Sequence, residues 1–266
     1  MQVKNFQEKI LTYYSKEGRD LPWRKTRDPY PIMLSEIMLQ QTQVSRVVDY
    51  WTRWLKKWPT IQDLAQADRR DVLAMWSGLG YNNRAVRLHK AAQLIMSSYH
   101  GDVLAAMKDY KNVPGIGPYT SAAVQIFSGN KDLVTVDTNI RRILLHEFEL
   151  PEHTTDKELW GLAKDCLPKG RSRDWHNALM DYGATHLTSR KSGIRPKTRQ
   201  SKFEGSDRQI RARILRHMVT FDDGQSFEEV VELIGEKDTE RLKRILEGMI
   251  KDDLISLAQN RYVLKE

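Results

Sequence analysis

The sequence predicts an all-α body, and three observations carry the prediction. Across about the first 185 residues apolar side chains recur at spacings of three and four, alternating stretches are few, and glycines fall between helical segments rather than inside strands. Between Tyr30 and Trp58 the residues Ile32, Ile37, Leu39, Val44, Val47, Val48, Trp51 and Leu55 form one apolar stripe, which is either one long helix or two closely spaced ones, with Trp51, Trp54 and Trp58 in the core. Thr60 precedes IQDLAQA and Asp68 precedes RRDVLAMW, each a polar cap before a short amphipathic helix. GLGY (78–81) interrupts the pattern ahead of a helix from about Arg84 to Tyr99, which His100-Gly101 closes.

From Arg190 to Gly205 there is no apolar period, and Ser, Gly, Pro, Lys and Arg read as an exposed linker. Beyond it Arg208–Thr220, Ser226–Ile234 and Asp238–Lys251 predict three helices, and LISLAQNRYVLKE predicts a β-hairpin, the element order of a small winged-helix-like domain. The chain is long enough, at 266 residues, to bury a substantial core, and with 40% hydrophobic and 29% charged residues it is neither disordered nor fibrous. No apolar run reaches the roughly 18 residues that span a bilayer, and MQVKNFQEK has no signal core, so a cytoplasmic protein with no membrane partner is expected, with a monomer as the default. The single cysteine, Cys166, can form no internal disulfide and cannot make a metal site alone; no metal is expected.

Lys and Arg number 43 against 35 Asp and Glu, a formal charge of +8. The excess is concentrated between Leu187 and Arg216, where Arg190, Lys191, Arg195, Lys197, Arg199, Lys202, Arg208, Arg211, Arg213 and Arg216 face only Glu204 and Asp207. Such a field suits a polyanion, most simply nucleic acid, although a solvated linker would look the same. VPGIGPYTSAAV (113–124) puts Gly115 and Gly117 in a tight turn between helices, with Thr120 in the second helix. Amides at such a helix N-terminus can bind a DNA phosphate without reading sequence, though a purely structural turn is the alternative. In LVTVDTNIRRIL (133–144), Asp137 precedes a helix starting near Asn139, where it could simply be an N-cap.

The two features in succession resemble the helix-hairpin-helix (HhH-GPD) DNA glycosylase superfamily, and other strings extend the likeness. LPWRKTRDPYPIMLSEIMLQQTQVSRVVDYW (21–51), GLGYNNRAVRLHKAA (78–92) and WHNALMDYGA (175–184) resemble the MutY-like adenine mismatch glycosylases in the same order, so the similarity covers about Leu21 to Leu187. The resemblance implies a two-lobed glycosylase core over 1–188, with 22–134 as a six-helix lobe and 1–21 plus 135–188 as the second, then a basic linker at 189–205 and the winged-helix-like domain at 206–266. It implies double-stranded DNA with a mismatched or damaged pair as partner. Glu36 would protonate the leaving adenine and then handle the water, as a carboxyl with raised pKa in an apolar pocket can, and Asp137 would stabilise the positive charge growing on the sugar. Tyr119 stands where bifunctional relatives carry a Schiff-base lysine, which implies a monofunctional enzyme. Gln41, Thr42, Leu79 and Tyr81 match residues that fill the gap behind a flipped nucleotide and touch the opposite base. Arg24 matches a pocket arginine near the glutamate, and Gly115, Gly117, Thr120, Arg190, Lys191, Arg195, Lys197 and Arg199 are implied on the DNA backbone.

The sequence also departs from the family. Most members of this branch continue into four cysteines that hold a 4Fe–4S cluster, but ATHLTSRKSGIRPKTRQSKFEGS (184–206) has none and places Leu187 at the first ligand position. A clusterless enzyme without cofactor is therefore expected, with the basic loop taking over phosphate binding. Asn177 stands where adenine-cleaving relatives often carry Glu or Gln, and VDTN resembles thymine or uracil mismatch glycosylases, whereas LQQTQV is the adenine-type string. Thymine or uracil opposite guanine is thus an alternative substrate. A non-catalytic DNA-binding protein on the same scaffold is the alternative of another class, against which the two carboxylates argue. Residues 207–266 show no resemblance to the NUDIX-like domain with which full-length adenine glycosylases recognise 8-oxoguanine.

Overall fold

The computed structural model describes residues 2–195, 202–221 and 223–265. Lys197 and Arg199 lie outside the described residues. In chain order the helices are α1 (Val3–Glu17), α2 (Pro29–Leu39), α3 (Val44–Lys57), α4 (Ile61–Ala65), α5 (Arg69–Trp76), α6 (Asn83–Tyr99), α7 (Val103–Lys108), α8 (Pro118–Gly129), α9 (Thr138–Glu147), α10 (Asp156–Asp165), α11 (Ser172–Asp181), α12 (Ser189–Ser192), α13 (Asp207–Thr220), α14 (Phe227–Ile234) and α15 (Thr239–Lys251). A hairpin of β1 (Ile255–Ala258) and β2 (Arg261–Leu264) follows. The all-α class is thus as the sequence predicts, and among the described helices none is long and apolar enough to cross a membrane. The Tyr30–Trp58 stripe is two helices; Trp54 and Trp58 are buried and Trp51 is half-buried.

The chain falls into two compact units. The first holds residues 1–36, 103–112 and 116–199. Its core is built by Phe6 and Ile10 of α1, Ile140, Ile143 and Leu144 of α9, Leu159 of α10, and Trp175 and Leu179 of α11. Phe6 meets Trp175 edge-on at 5.4 Å and Phe148 at 5.2 Å between ring centroids, an arrangement the ring quadrupoles favour. α10 begins in a reciprocal cap in which Thr155 and Glu158 satisfy each other's backbone amides.

The second unit holds residues 37–102, 113–115 and 200–266. Trp54 packs edge-on against Trp58 and Trp76. The C-terminal three helices and hairpin appear in the predicted order, and Gln259 and Asn260, both with positive φ, make the two-residue turn that suits strand twist. Residues 200–266 are grouped in one compact unit with residues 37–102 and 113–115. The reason is specific docking: Arg70 of α5 donates to the terminal carbonyls of α13, Met218 O at 2.8 Å and Val219 O at 3.0 Å, and Lys90 of α6 pairs with Asp253. Arg69 also donates to the Asp253 carbonyl.

Candidate active site

α2 is buried around its whole circumference, from Tyr30 to Met38, because PYPIMLSEIML offers almost no polar face. Glu36 is carried inward with its neighbours and is only 7% exposed. Burial raises its pKa to about 7; a hydrogen bond from Tyr119 opposes the rise, the charge of Asp137 adds to it, and Arg24 pulls against it. Tyr119, in the first turn of α8, is held neutral, its pKa pushed well above the usual value by burial and by the two carboxylates. Tyr119 and Asp137 are themselves half-buried.

Asp137 caps α9: its Oδ1 accepts the Ile140 N–H at 2.7 Å, and its Oδ2 accepts from Asn139 Nδ2 at 3.2 Å. The cap reading and the functional reading of this residue are therefore compatible, since a helix N-terminus favours an anion in either case. Burial nevertheless outweighs these hydrogen bonds and holds its pKa above the ordinary aspartate value.

The residues bracing Asp137 were not singled out in the sequence. Arg142, one helical turn beyond Asn139, donates to Asn139 Oδ1 at 2.6 Å, to Gly183 O at 2.6 Å and to Leu187 O at 2.8 Å. Gly183 lies in the π-helical turn Tyr182–His186, and a Cβ there would stand 2.8 Å from the Asn139 Cβ, so only glycine permits the approach. His176 accepts the Thr135 N–H at Nε2 (3.3 Å) and donates from Nδ1 to Ser172 O (2.7 Å), tying α11 to the segment that leads into Asp137. Burial pushes its pKa down to about 4, so it stays neutral.

Arg24 is fixed before it can act on Glu36. Its guanidinium makes a forked pair with Asp181, 2.7 and 2.8 Å, while Arg19 adds a second cation at 2.6 Å. Asp181 is fully buried; burial alone would raise its pKa, but Arg24 and Arg19 outweigh it and hold the carboxylate below the usual range. Replacing Asp181→Asn leaves two arginines facing a neutral amide, and we expect a loss of about 3 kcal/mol in urea unfolding at pH 7. The deficit should shrink as the pH falls through the acid range where the wild-type carboxylate itself becomes protonated, because the stabilisation is present above the unfolded pKa and lost below it.

The other implied residues distribute as follows. Asn177 on α11 is buried, 5% exposed, in the same unit as the two carboxylates. Gly115 has φ +73° and a Cβ there would lie 2.7 Å from the Arg87 Cβ, so the hairpin requires it; Gly117 caps α8. Thr120 is 3% exposed, so its side chain faces the interior and the hairpin offers backbone rather than this hydroxyl. Arg190, Lys191 and Arg195 are exposed. Gln41, Thr42, Leu79 and Tyr81 belong to the second unit, with Leu79 buried. Their loops are joined by Arg84, which donates to Ile37 O, Met38 O, Gln40 O and Gly80 O at 2.7–3.0 Å and to Thr42 Oγ1 at 3.1 Å. Only its burial amid GLGYNNRA could have drawn attention to it.

A 4Fe–4S cluster needs several thiolates, and the residues present do not fit one. Leu187 is buried in the core of the first unit, with Ile194 packed against that core. Cys166 is buried there too, its thiol pushed up to about 12 and so unsuited to ligation.

The fold and the site together define a helix-hairpin-helix protein whose buried carboxyl is poised to exchange a proton near neutral pH beside a helix-capping aspartate. The chain belongs to the HhH-GPD superfamily of base excision DNA repair proteins, whose profile matches residues 34–168. It is 38% identical to the adenine DNA glycosylase of Rattus norvegicus over 199 residues, 70% of this chain and 39% of that protein. It is 35% identical to the adenine DNA glycosylase of Mycolicibacterium smegmatis over 229 residues, 77% of this chain and 78% of that one. Among solved structures, a thermostable thymine-DNA glycosylase matches with a TM-score of 0.66 and 32% identity, over 73% of this chain and 90% of that chain. The chain thus spans about two fifths of the length of its mammalian relatives.

Proposed function

We propose that this protein is a monofunctional DNA glycosylase that hydrolyses the N-glycosidic bond of an adenine mispaired with 8-oxoguanine or guanine. The observation that carries the reading is Glu36: a carboxyl with pKa of about 7, hydrogen-bonded by Tyr119 and near Asp137, is still substantially protonated at neutral pH. In the proposed reaction the flipped adenine takes the Glu36 proton on a ring nitrogen, the bond from that base to the sugar C1′ breaks, and the electron pair leaves with the base. Asp137 faces the positive charge left on the sugar. The Glu36 carboxylate then accepts a proton from the water that adds to C1′, so the products are free adenine and an abasic site and Glu36 is restored. Tyr119 has no amine, so no Schiff base forms there and strand cleavage is not expected. We further propose that the enzyme works as a monomer without an iron–sulfur cluster, its exposed Arg190, Lys191 and Arg195 neutralising phosphates.

Adenine is supported by the names of the rat and mycobacterial relatives and by LQQTQV. The 32% identity to a thymine-DNA glycosylase and the VDTN string favour a second reading, excision of thymine or uracil opposite guanine. Single-turnover base release followed by alkali cleavage separates them on duplexes with adenine opposite 8-oxoguanine, adenine opposite guanine, thymine opposite guanine and uracil opposite guanine. Release from the two adenine duplexes is expected. Release confined to thymine or uracil would establish the second reading, and no release from any duplex would favour a binding protein.

A further inference from the structure

Two arginines cross in opposite directions between α11 and the segment that leads into α2. Arg24, in the 3₁₀ turn Pro22–Arg24, reaches Asp181 at the C-terminal end of α11. Arg173, in the first turn of the same helix, reaches back: its Nη2 donates to the carbonyl of Arg24 and, at 3.0 Å, to that of Thr26. Arg24 is thus held by its guanidinium at one end of α11 and by its backbone at the other. The first turn of α11 is itself fixed to the chain that runs on to Asp137, since Asn130 Oδ1 accepts the Arg173 N–H at 2.8 Å and the Ser172 hydroxyl donates to Leu133 O at 3.0 Å.

Burying Arg173 costs stability. It is 7% exposed, and its Nη1 has no hydrogen-bond partner among the described residues. The partners of its guanidinium are backbone carbonyls rather than carboxylates, and burial and the charge of Arg27 push its pKa down, with Asp174 pulling the other way. Where stability alone is at stake, an apolar side chain of similar length does as well as an incompletely satisfied cation or better. What the guanidinium adds is a grip on the carbonyls of residues 24 and 26 together.

We infer that Arg173 is a positioning residue: by holding the backbone of residues 24–26 on α11, it fixes Arg24 at the place from which its charge acts on Glu36. The inference rests on the proposed function for the reaction that Glu36 serves, but not for the contact itself. Tyr119, Asp137 and Arg24 face Glu36, and of these Arg24 supplies the positive charge. That charge pulls the Glu36 pKa down against burial, so slack in the Arg24 backbone lets the pKa rise.

The test titrates Glu36 in the free full-length chain, by infrared difference spectra of the carboxyl band against Glu36→Gln, and measures single-turnover base release across the same pH range. Arg173→Met and Arg173→Gln remove the grip in two ways, one apolar and one polar but too short, so the test does not depend on either variant alone. Each is expected to move the Glu36 titration, and with it the alkaline limb of the rate profile, up by about half a pH unit. The rate on the acid side of that limb should fall about tenfold as the fixed geometry is lost. Arg173→Lys, whose ammonium can still donate to the two carbonyls, should recover about half or more of both effects. Leu159→Ala, a core truncation on α10 of the same unit, is the stability control and should lower the urea midpoint without moving the titration. A titration that stays at the wild-type pH in the Met and Gln variants, or that moves as far in Leu159→Ala, would overturn the inference and leave Arg173 as a structural tie. Because the titration is read without substrate, an Arg173-dependent shift in a protein that releases no base would refute the glycosylase reading and leave the positioning of Arg24 standing; base release without the shift would do the reverse.

Discussion

Glu36→Gln is expected to abolish base release, with a single-turnover rate at least about 10³-fold below wild type, while the protein becomes more stable at alkaline pH. The rate follows from losing the proton that Glu36 donates near neutrality, a general-acid contribution of about 10²–10⁴, together with the later activation of water. The stability follows from linkage. Glu36 has a folded pKa of about 7 against 4.5 for the free group, so the folded state holds the proton more tightly. Stability is therefore full below the unfolded pKa and declines as pH rises through the folded one, by about 3 kcal/mol in all. Glutamine has the same shape and never ionises, so urea midpoints should separate the variant from wild type at pH 8 and bring them together at pH 5. Wild-type single-turnover rates should fall above pH 7 as Glu36 loses its proton. A variant destabilised equally at both pH values, or a wild-type rate that keeps rising past pH 8, would remove Glu36 from the acid role.

Asp137→Asn should lower the rate by about 10²–10³-fold with little change in affinity for the same duplex, because an anion is needed only when positive charge appears on the sugar. The fold should tolerate it. Asparagine caps helices about as well as aspartate, and the buried charge, whose pKa lies above the ordinary value, is removed. A thermal midpoint within a few degrees of wild type, beside a collapsed rate, is the expected pair of results. If affinity fell in proportion to rate, Asp137 would be a binding determinant. An unchanged rate would leave the carboxylate as a cap alone. The acid limb of the wild-type pH profile should lie above the ordinary aspartate pKa, and the two limbs belong to the coupled pair.

Much of this site was legible before any coordinates. LSEIMLQQ identified Glu36, and the apolar residues around it already implied the burial that raises its pKa. VDTN placed Asp137 at a helix start, where it caps Ile140. The supports were not legible. Asp181 reaches Arg24 across 157 positions, Arg142 reaches Gly183 across 41, and Arg84 reaches Ile37 across 47. Each is an arginine or aspartate of a kind that usually faces solvent, and no periodicity marks a charged residue as buried. The composition of 189–205 reads as a linker between domains, yet Arg70, Lys90 and Asp253 bring the C-terminal helices into the same unit as α3 to α6.

The sequence by itself determined the helices, the family, the two candidate carboxylates and the want of cysteines for a cluster, because spacing, capping and residue chemistry act within a few residues of one another. Only the tertiary structure decided how Glu36 and Asp137 are tuned and that Arg173 meets the Arg24 carbonyl. Burial, hydrogen bonds and the fields of distant charges depend on which side chains folding brings within a few ångströms, and residues 149 positions apart carry no mark of that meeting in their order along the chain.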